Sequence, residues 1–418
     1  MYFNQLGLHP ALLAAVEASG YTEHTAVQAK AIPAALAGAD LLVSSFTGSG
    51  KTAAFILPSL QRLSAEPAVK GNGPRILVLT PTRELAMQVE QAALTYGSKL
   101  YKHLRVACLV GGMPYPLQMR KLQGPVDVVI ATPGRLIDHL ERGRVDFRRL
   151  EVLVLDEADR MLDMGFIEDI EKIIAKTPAT RQTLLFSATL DGVVGNMARR
   201  VTREPRRIRI APTPERKAHI EQSALFADSL NHKTKLLDAL LRDVDVKQAL
   251  IFTSTKRAAD DLSGVLREQG FSARALHGDM NQTQRNRTLK GLVDGRTRVL
   301  VATDVAARGI DVAGISHVIN FDAPRQAEDY VHRIGRTGRA GRAGIAVTLV
   351  NHSERHLLRA IERFTGQQVK VDTIAGLEPS RRAELRKTAG RFQKKPGSFG
   401  KSKHGARGGP QARPWLAR

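Results

Sequence analysis

Short apolar runs, alternating with stretches whose apolar residues recur at helical spacing, constrain this chain more than any other feature. The runs at 41–44, 76–80, 106–110, 126–131, 152–155, 183–187 and 208–210 are nearly continuous in apolar character. Strands buried on both faces read this way. Helical patterns separate them, as at 84–96. The alternation predicts an α/β domain around a parallel sheet with right-handed crossovers. The pattern then restarts. Runs at 249–253, 273–276, 299–302, 317–320 and 346–349 predict a second set of about five strands. The two sets read as two copies of one architecture without strong sequence identity.

Between the sets, 206–220 reads RRIRIAPTPERKAHI, polar and proline-containing. A flexible linker is expected at 212–219, joining an N-terminal domain at 1–211 to a C-terminal domain at 220–377. From 378 to 418 the chain is rich in Gly, Pro, Ser, Lys and Arg. Such a segment buries too little apolar surface to offset its ordering entropy, so a disordered basic tail is expected. The net charge is +22, and over 379–418 there are 12 Lys or Arg against one acid, Glu384. A surplus this large calls for a polyanionic partner. The single cysteine, Cys108, excludes an internal disulfide and reads as a small buried hydrophobe near a strand end. The first residues lack a basic start and a long apolar run, and no stretch approaches the length of a membrane span. A soluble, cytoplasmic protein is expected.

Ser44-Ser45-Phe46-Thr47-Gly48-Ser49-Gly50-Lys51-Thr52 follows an apolar run and opens a helical pattern. Backbone N–H groups and a helix N-terminus there would cradle phosphates, Lys51 would reach the β- and γ-phosphates, and the Thr52 hydroxyl would ligate Mg²⁺. A glycine-rich connecting turn is the plainer reading, and the strand–loop–helix context argues against it. Ser45 is small enough for the turn to close. Phe46 is expected to contribute backbone to the loop and to pack its ring against its own domain. Asp156 and Glu157 then stand at the C-terminal end of the 152–155 run, the edge where open α/β sheets bind ligands. Asp156 would hold a water of the Mg²⁺ shell and Glu157 would orient and deprotonate an attacking water. Taken alone, Asp156 reads equally well as a helix N-cap.

These residues do not stand alone. The sequence resembles the DEAD-box RNA helicases, from about residue 3 to about 370. The resemblance rests on GSGKT at 48–52, PTRELA at 81–86, Gly111-Gly112, TPGR at 132–135, DEAD at 156–159 and SAT at 187–189. It continues through IFTST at 251–255, HGDMNQTQR at 277–285, VATDVAARGID at 301–311 and HRIGRTGRAG at 332–341. Within the family it looks most like the bacterial RhlE-like group. The resemblance implies two tandem RecA-like parallel-sheet domains and RNA-stimulated ATP hydrolysis. It couples hydrolysis to domain closure and to local unwinding of short RNA duplexes or remodelling of RNA–protein complexes.

Carried residue by residue, the resemblance places Tyr21 and Gln28 on adenine, with Phe3 behind them. His24 and Ala26 depart from the usual residues of that segment. Thr47, Gly48, Ser49, Gly50, Lys51 and Thr52 hold ATP with Mg²⁺. Arg336 and Arg339 are implied arginine fingers, spaced to share one face if helical, and Asp311 touches the ribose. Without the resemblance these arginines read as surface charge or RNA contacts. Ser187, Thr189 and His332 are implied to couple hydrolysis to strand separation, although the Ser and Thr serve a helix cap as well. Pro81, Thr82, Arg83, Gly111, Gly112, Thr132, Pro133, Gly134 and Arg135 are implied RNA contacts in the first domain. Thr253, Gln282, Arg285, Thr303 and Asp304 are their counterparts in the second. Such groups read phosphate and ribose, so little sequence preference is expected. The tail would add a second RNA contact, with Phe392, Phe399 and Trp415 for stacking. A monomer acting on ribosomal or RNA-decay complexes is the expected setting. An ATP-gated RNA clamp uses the same motifs, and a DNA helicase fits the charge but not the motif set.

Overall fold

The computed structural model describes residues 2–45, 48–64, 70–100, 103–190, 192–210, 220–307, 310, 312, 314–338 and 342–380. The expected linker at 212–219 and the basic segment from 381 onward lie outside the described residues.

The first half builds its sheet from β1 (Leu41–Ser45), β2 (Ile76–Leu79), β3 (Val106–Leu109), β4 (Val128–Ala131), β5 (Val152–Leu155), β6 (Gln182–Ser187) and β7 (Arg206–Ile210). The second half uses β8 (Ile220–Ala227), β9 (Ala249–Thr253), β10 (Ala273–Leu276), β11 (Val299–Thr303), β12 (His317–Asn320), β13 (Gly344–Asn351) and β14 (Lys370–Asp372). The spatial orders are β3-β4-β2-β5-β6-β1-β7 and β10-β11-β9-β12-β13-β8-β14. Ranked within its own half, the second order repeats the first strand for strand. Every pairing in both sheets is parallel.

Period-two alternation explains how apolar runs become these sheets. In β5, Val152 and Val154 enter one core layer while Leu153 and Leu155 enter the layer on the opposite face. In β9, Ala249 and Ile251 divide from Leu250 and Phe252 in the same way. Helices cover both faces, so the loops leaving the C-terminal ends of the strands gather along one edge. Side chains cap several helices at that edge. Thr82 Oγ accepts from Leu85 N at 3.3 Å to start Arg83–Gly97, and Thr255 Oγ accepts from Ala258 N at 3.1 Å to start Lys256–Glu268.

The second sheet has seven strands, not about five. β8 escapes an apolar-run reading because Glu221, Gln222 and Ser223 interrupt it, and only its last four residues are buried. β14 is a short edge strand with one apolar residue, Val371, held by backbone pairing to β8. Cys108 is fully buried in β3 as expected, and burial pushes its thiol up to about 12. No helix among the described residues is long and apolar enough to cross a membrane.

Candidate functional site

β1 ends at Ser45, and the helix Lys51–Arg62 starts at Lys51. Between them Gly48 and Gly50 have φ of 70° and 92°, the left-handed region that glycine enters without cost from a Cβ. Gly50 is doubly constrained, since a Cβ there would sit 2.6 Å from Nε2 of Gln28. Lys51 is buried, and its Nζ donates to the Ser45 carbonyl at 3.3 Å. Ser49 Oγ donates to Ser45 Oγ at 3.2 Å, both side chains being buried. Ser45 therefore takes the small-residue place expected of it. Thr52 is half-buried in the first helical turn. Phe46 and Thr47 lie outside the described residues, so the packing expected of Phe46 does too.

Gln28 lies against this loop. Its Nε2 donates to the Gly50 carbonyl at 3.1 Å, and its Oε1 accepts from Thr25 N at 2.8 Å. An amide has two donors and an oxygen with two lone pairs, so one donor and one acceptor site remain for a purine edge. Tyr21 is exposed nearby in sequence, a ring without cover. Phe3 is buried behind the segment and meets His24 edge-on, centroids 6.2 Å apart at 88°.

Asp156 and Glu157 leave β5 at the same edge. Asp156 is buried, and its Oδ1 has no hydrogen-bond partner among the described residues. Burial pushes its carboxyl up to about 7, raised further by Glu157 and opposed by Lys51. An orphaned carboxylate oxygen facing a buried ammonium fits a bound cation and its water shell, and hard oxygen donors such as Asp156 and Thr52 fit Mg²⁺. Glu157 has φ of 52°, a left-handed conformation for a residue with a Cβ, which costs roughly 1–2 kcal/mol. Strain of this kind persists where the surroundings over-determine it.

Asp159 joins this motif to Ser187-Ala188-Thr189. Its Oδ2 accepts from Ala188 N at 3.0 Å and Thr189 N at 3.3 Å. Ser187 Oγ accepts from Asp159 N at 3.4 Å, so the serine caps a helix other than its own, Ala158–Asp163. Ser44 Oγ closes the circuit by donating to the Ala188 carbonyl at 3.0 Å.

From the second half comes the helix Ala327–Ile334, capped by Gly335. Arg336 therefore lies past the helix end, which corrects the expectation of arginines sharing one helical face. It is buried, and Nη1 donates to the Ile310 carbonyl at 2.8 Å. Arg339 and Asp311 lie outside the described residues. His332 Nδ1 is buried without a hydrogen-bond partner among the described residues. Arg333 is the fixed post of the helix. It makes a two-pronged pair with Asp304 at 2.6 and 2.7 Å, bonds the Asp322 carbonyl at 2.7 Å, and lies over the Phe252 ring at 5.0 Å.

The residues expected on RNA lie at strand ends, in the turns that follow and in the first turns of the next helices. Pro81 and Thr82 follow β2 and are buried. Arg83 leans over Gly111-Gly112, where Gly112 has φ of 75° and leaves no room for a Cβ beside the guanidinium. Arg135 braces that glycine loop, donating to the carbonyls of Val110 and Met113 at 3.3 Å each and to Asp138 at 3.1 Å. Its guanidinium lies 5.4 Å from the centre of the Tyr115 ring, which stacks on His139 at 4.6 Å. Thr132 is the N-cap residue of the helix Pro133–Glu141, which starts with Pro133 and Gly134. Thr253 ends β9 fully buried, Thr303 ends β11, and Asp304 is taken by Arg333.

Arg83, Gln282 and Arg285 do more than line a surface. Arg83 Nη1 donates to Gln282 Oε1 at 3.1 Å across the halves. Arg285 is buried and pairs with Glu84 at 2.7 Å. A third cross-half contact joins Arg160 to Asp329 at 2.6 Å. Sequence reasoning missed Glu84, Arg160, Asp329 and Arg333 as site residues. Each partner lies on a different element, with 201 positions between Arg285 and Glu84 and 169 between Arg160 and Asp329, so no local pattern marks the pairs.

Residues 25–197 match the family model described as DEAD/DEAH box helicase, and 232–341 match the helicase conserved C-terminal domain. The chain is 46% identical over 378 residues to the ATP-dependent RNA helicase SrmB of Haemophilus influenzae, across 90% of this chain and 86% of that one. It is 45% identical over 389 residues to SrmB of Escherichia coli, across 93% and 87%. Among solved structures, S. cerevisiae Dbp5 bound to RNA and ADP BeF3 gives a TM-score of 0.80 at 30% identity, covering 89% of this chain and 95% of that one. A DEAD box protein from the hyperthermophile Methanococcus jannaschii is 37% identical over 89% and 99% of the chains, yet its TM-score is 0.52.

Proposed function

This chain belongs to the DEAD-box family of ATP-dependent RNA helicases, and from that premise we propose how its own residues divide the work. Its two RecA-like halves hydrolyse ATP and act on RNA. ATP enters at the edge of the first sheet, with adenine between Tyr21 and the free valences of Gln28. The phosphates lie on the backbone of 47–52. Lys51 exchanges its long bond to the Ser45 carbonyl for a phosphate oxygen, gaining a charge-assisted contact. Mg²⁺, held by Thr52 and by Asp156 through water, supplies charge neutralisation on the phosphates. Glu157 orients the attacking water and takes its proton. Arg336 and Arg339 of the second half offset the charge developing on the transferred phosphoryl group, and Asp311 meets the ribose.

RNA crosses the loops of both halves, contacted through phosphate and ribose, so ATP and RNA both favour the closed arrangement and each tightens the other. Closure around both ligands separates short duplexes locally. The domain limits at 211 and 220, the monomeric state, a cytoplasmic setting, the RhlE-like placement and ribosomal or RNA-decay targets are part of the same reading.

One observation carries it. The phosphate loop and the Asp156–Asp159 motif share the strand-end edge of the first sheet, and Arg160, next after the motif, pairs with Asp329 of the second half's helix Ala327–Ile334. The test is ATP hydrolysis with and without single-stranded RNA, beside strand separation of a short RNA duplex. RNA-stimulated turnover that Glu157→Gln abolishes, with ATP-dependent RNA binding kept, supports the enzyme. Tight ATP-dependent RNA binding with no turnover in the unaltered protein would make it a clamp.

A further inference from the structure

The contacts that join the two halves are not equivalent. Arg83–Gln282 and Arg285–Glu84 join the first turns of the helices Arg83–Gly97 and Gln282–Val293, which carry the residues Arg83, Gln282 and Arg285 expected on RNA. Arg160–Asp329 joins the residue directly after the Asp156–Asp159 motif to the helix that carries His332 and Arg333.

The surroundings make this pair selective for one arrangement. The Arg160 side chain is 5% exposed and that of Asp329 is 18% exposed. Arg160 Nη1 also reaches Asp163 at 3.4 Å, a longer contact that stays within its own half. Arg160, His332, Arg333 and Arg336 line one small pocket with Asp304 and Asp329. Arg333 occupies both oxygens of Asp304, so Asp329 is the carboxylate that meets Arg160. Without it, a buried guanidinium from the first half would face the arginines of the second, and like charges at such range oppose closure.

Arg160 is also wired inward. Its N–H donates to Asp159 Oδ1 at 3.0 Å, Asp159 holds Ala188 and Thr189, and Ser44 Oγ bonds the Ala188 carbonyl. Ser45, next in β1, holds Lys51. A bonded path therefore runs from Asp329 to the phosphate loop. We propose that Arg160 and Asp329 are positioning residues that form the latch through which RNA-driven closure is felt at the ATP site. This deepens the helicase reading above and rests on it.

The test is a double-mutant cycle on the full chain, read as the factor by which AMP-PNP with Mg²⁺ tightens binding of a short labelled single-stranded RNA. Coupling factors between two sites commonly fall at about 5–150-fold. Asp329→Asn and Arg160→Gln should each lower the factor by about tenfold, and the double variant by no more than either single one. RNA affinity without nucleotide and AMP-PNP affinity without RNA should stay within about twofold, which a purely structural defect would not allow. Asp329→Glu, which keeps the charge, should retain most of the factor and serves as the folded control. Singles with an unchanged factor, or effects that multiply in the double variant, would overturn the latch while leaving the helicase reading intact. No tightening in the unaltered protein would defeat that reading and the latch with it.

Discussion

Gln28 shows how much one side chain is asked to do. Half of its hydrogen-bonding capacity holds its own helix start and the Gly50 carbonyl, and the proposed adenine contact rests on the donor and acceptor sites that remain. Gln28→Ala should raise the KM for ATP about tenfold, the scale of one or two lost hydrogen bonds, and erase discrimination against GTP, as competition assays would show. Gly50→Ala collides with the same amide and demands φ of 92° from alanine. It should cost stability by about 1–2 kcal/mol and weaken nucleotide binding, measured by thermal shift with and without ATP. Two histidines set a pH response. His139 is fully buried and bonded to Gln118, and burial with Arg135 nearby lowers its pKa; burial lowers that of His317 as well. The unfolded chain, with histidine near pKa ~6.5, then binds more protons than the fold. Stability is whole above that value and falls as pH drops through it toward the folded values. Unfolding midpoints should decline between about pH 7.5 and 5.5, and His139→Gln should flatten the decline.

At the scale of elements, the central strands were legible because they are apolar on both faces, and the edges were not. β5 and β9 are wholly buried. β8 and β14 owe their place to pairing with β13 and with each other, a cause that no short window of sequence contains. The extent of the helix at 327–334 was illegible for a related reason. Gly335 ends it, and only the fold reveals that Arg336 then turns to the Ile310 carbonyl. Core packing supports a firmer expectation. Phe186 in β6 is fully buried and meets Phe55 edge-on at 5.3 Å. Phe186→Ala should destabilise by about 3–5 kcal/mol, seen as a lower urea midpoint with no change in slope.

For the whole molecule, charge and closure act together. Half of the +22 surplus lies in 379–418, a segment outside the described residues. Removing it should weaken RNA binding and shallow the slope of log affinity against log salt, while basal ATP affinity stays the same. Titrations at several salt concentrations decide this, and unchanged affinity at low salt would count against any RNA role for the tail. Arg83–Gln282, Arg285–Glu84 and Arg160–Asp329 join the two halves.

By itself the sequence determined the α/β class and the doubling of the sheet, and it marked the phosphate loop and the carboxylates after β5 as the candidate site. Buried parallel strands need uninterrupted apolar runs, and phosphate chemistry needs glycine, lysine and carboxylate at fixed local spacing. Lys51 and Asp156 could be named for that reason, and Gln28 through the family resemblance. Tertiary structure alone decided which charges meet. Glu84, Arg160 and Asp329 are ordinary surface residues in any local reading, and the pairs Glu84–Arg285 and Arg160–Asp329 exist only once the two halves have folded. A buried charge depends on its partner for stability, and these partners are supplied by the fold rather than by neighbours in the chain.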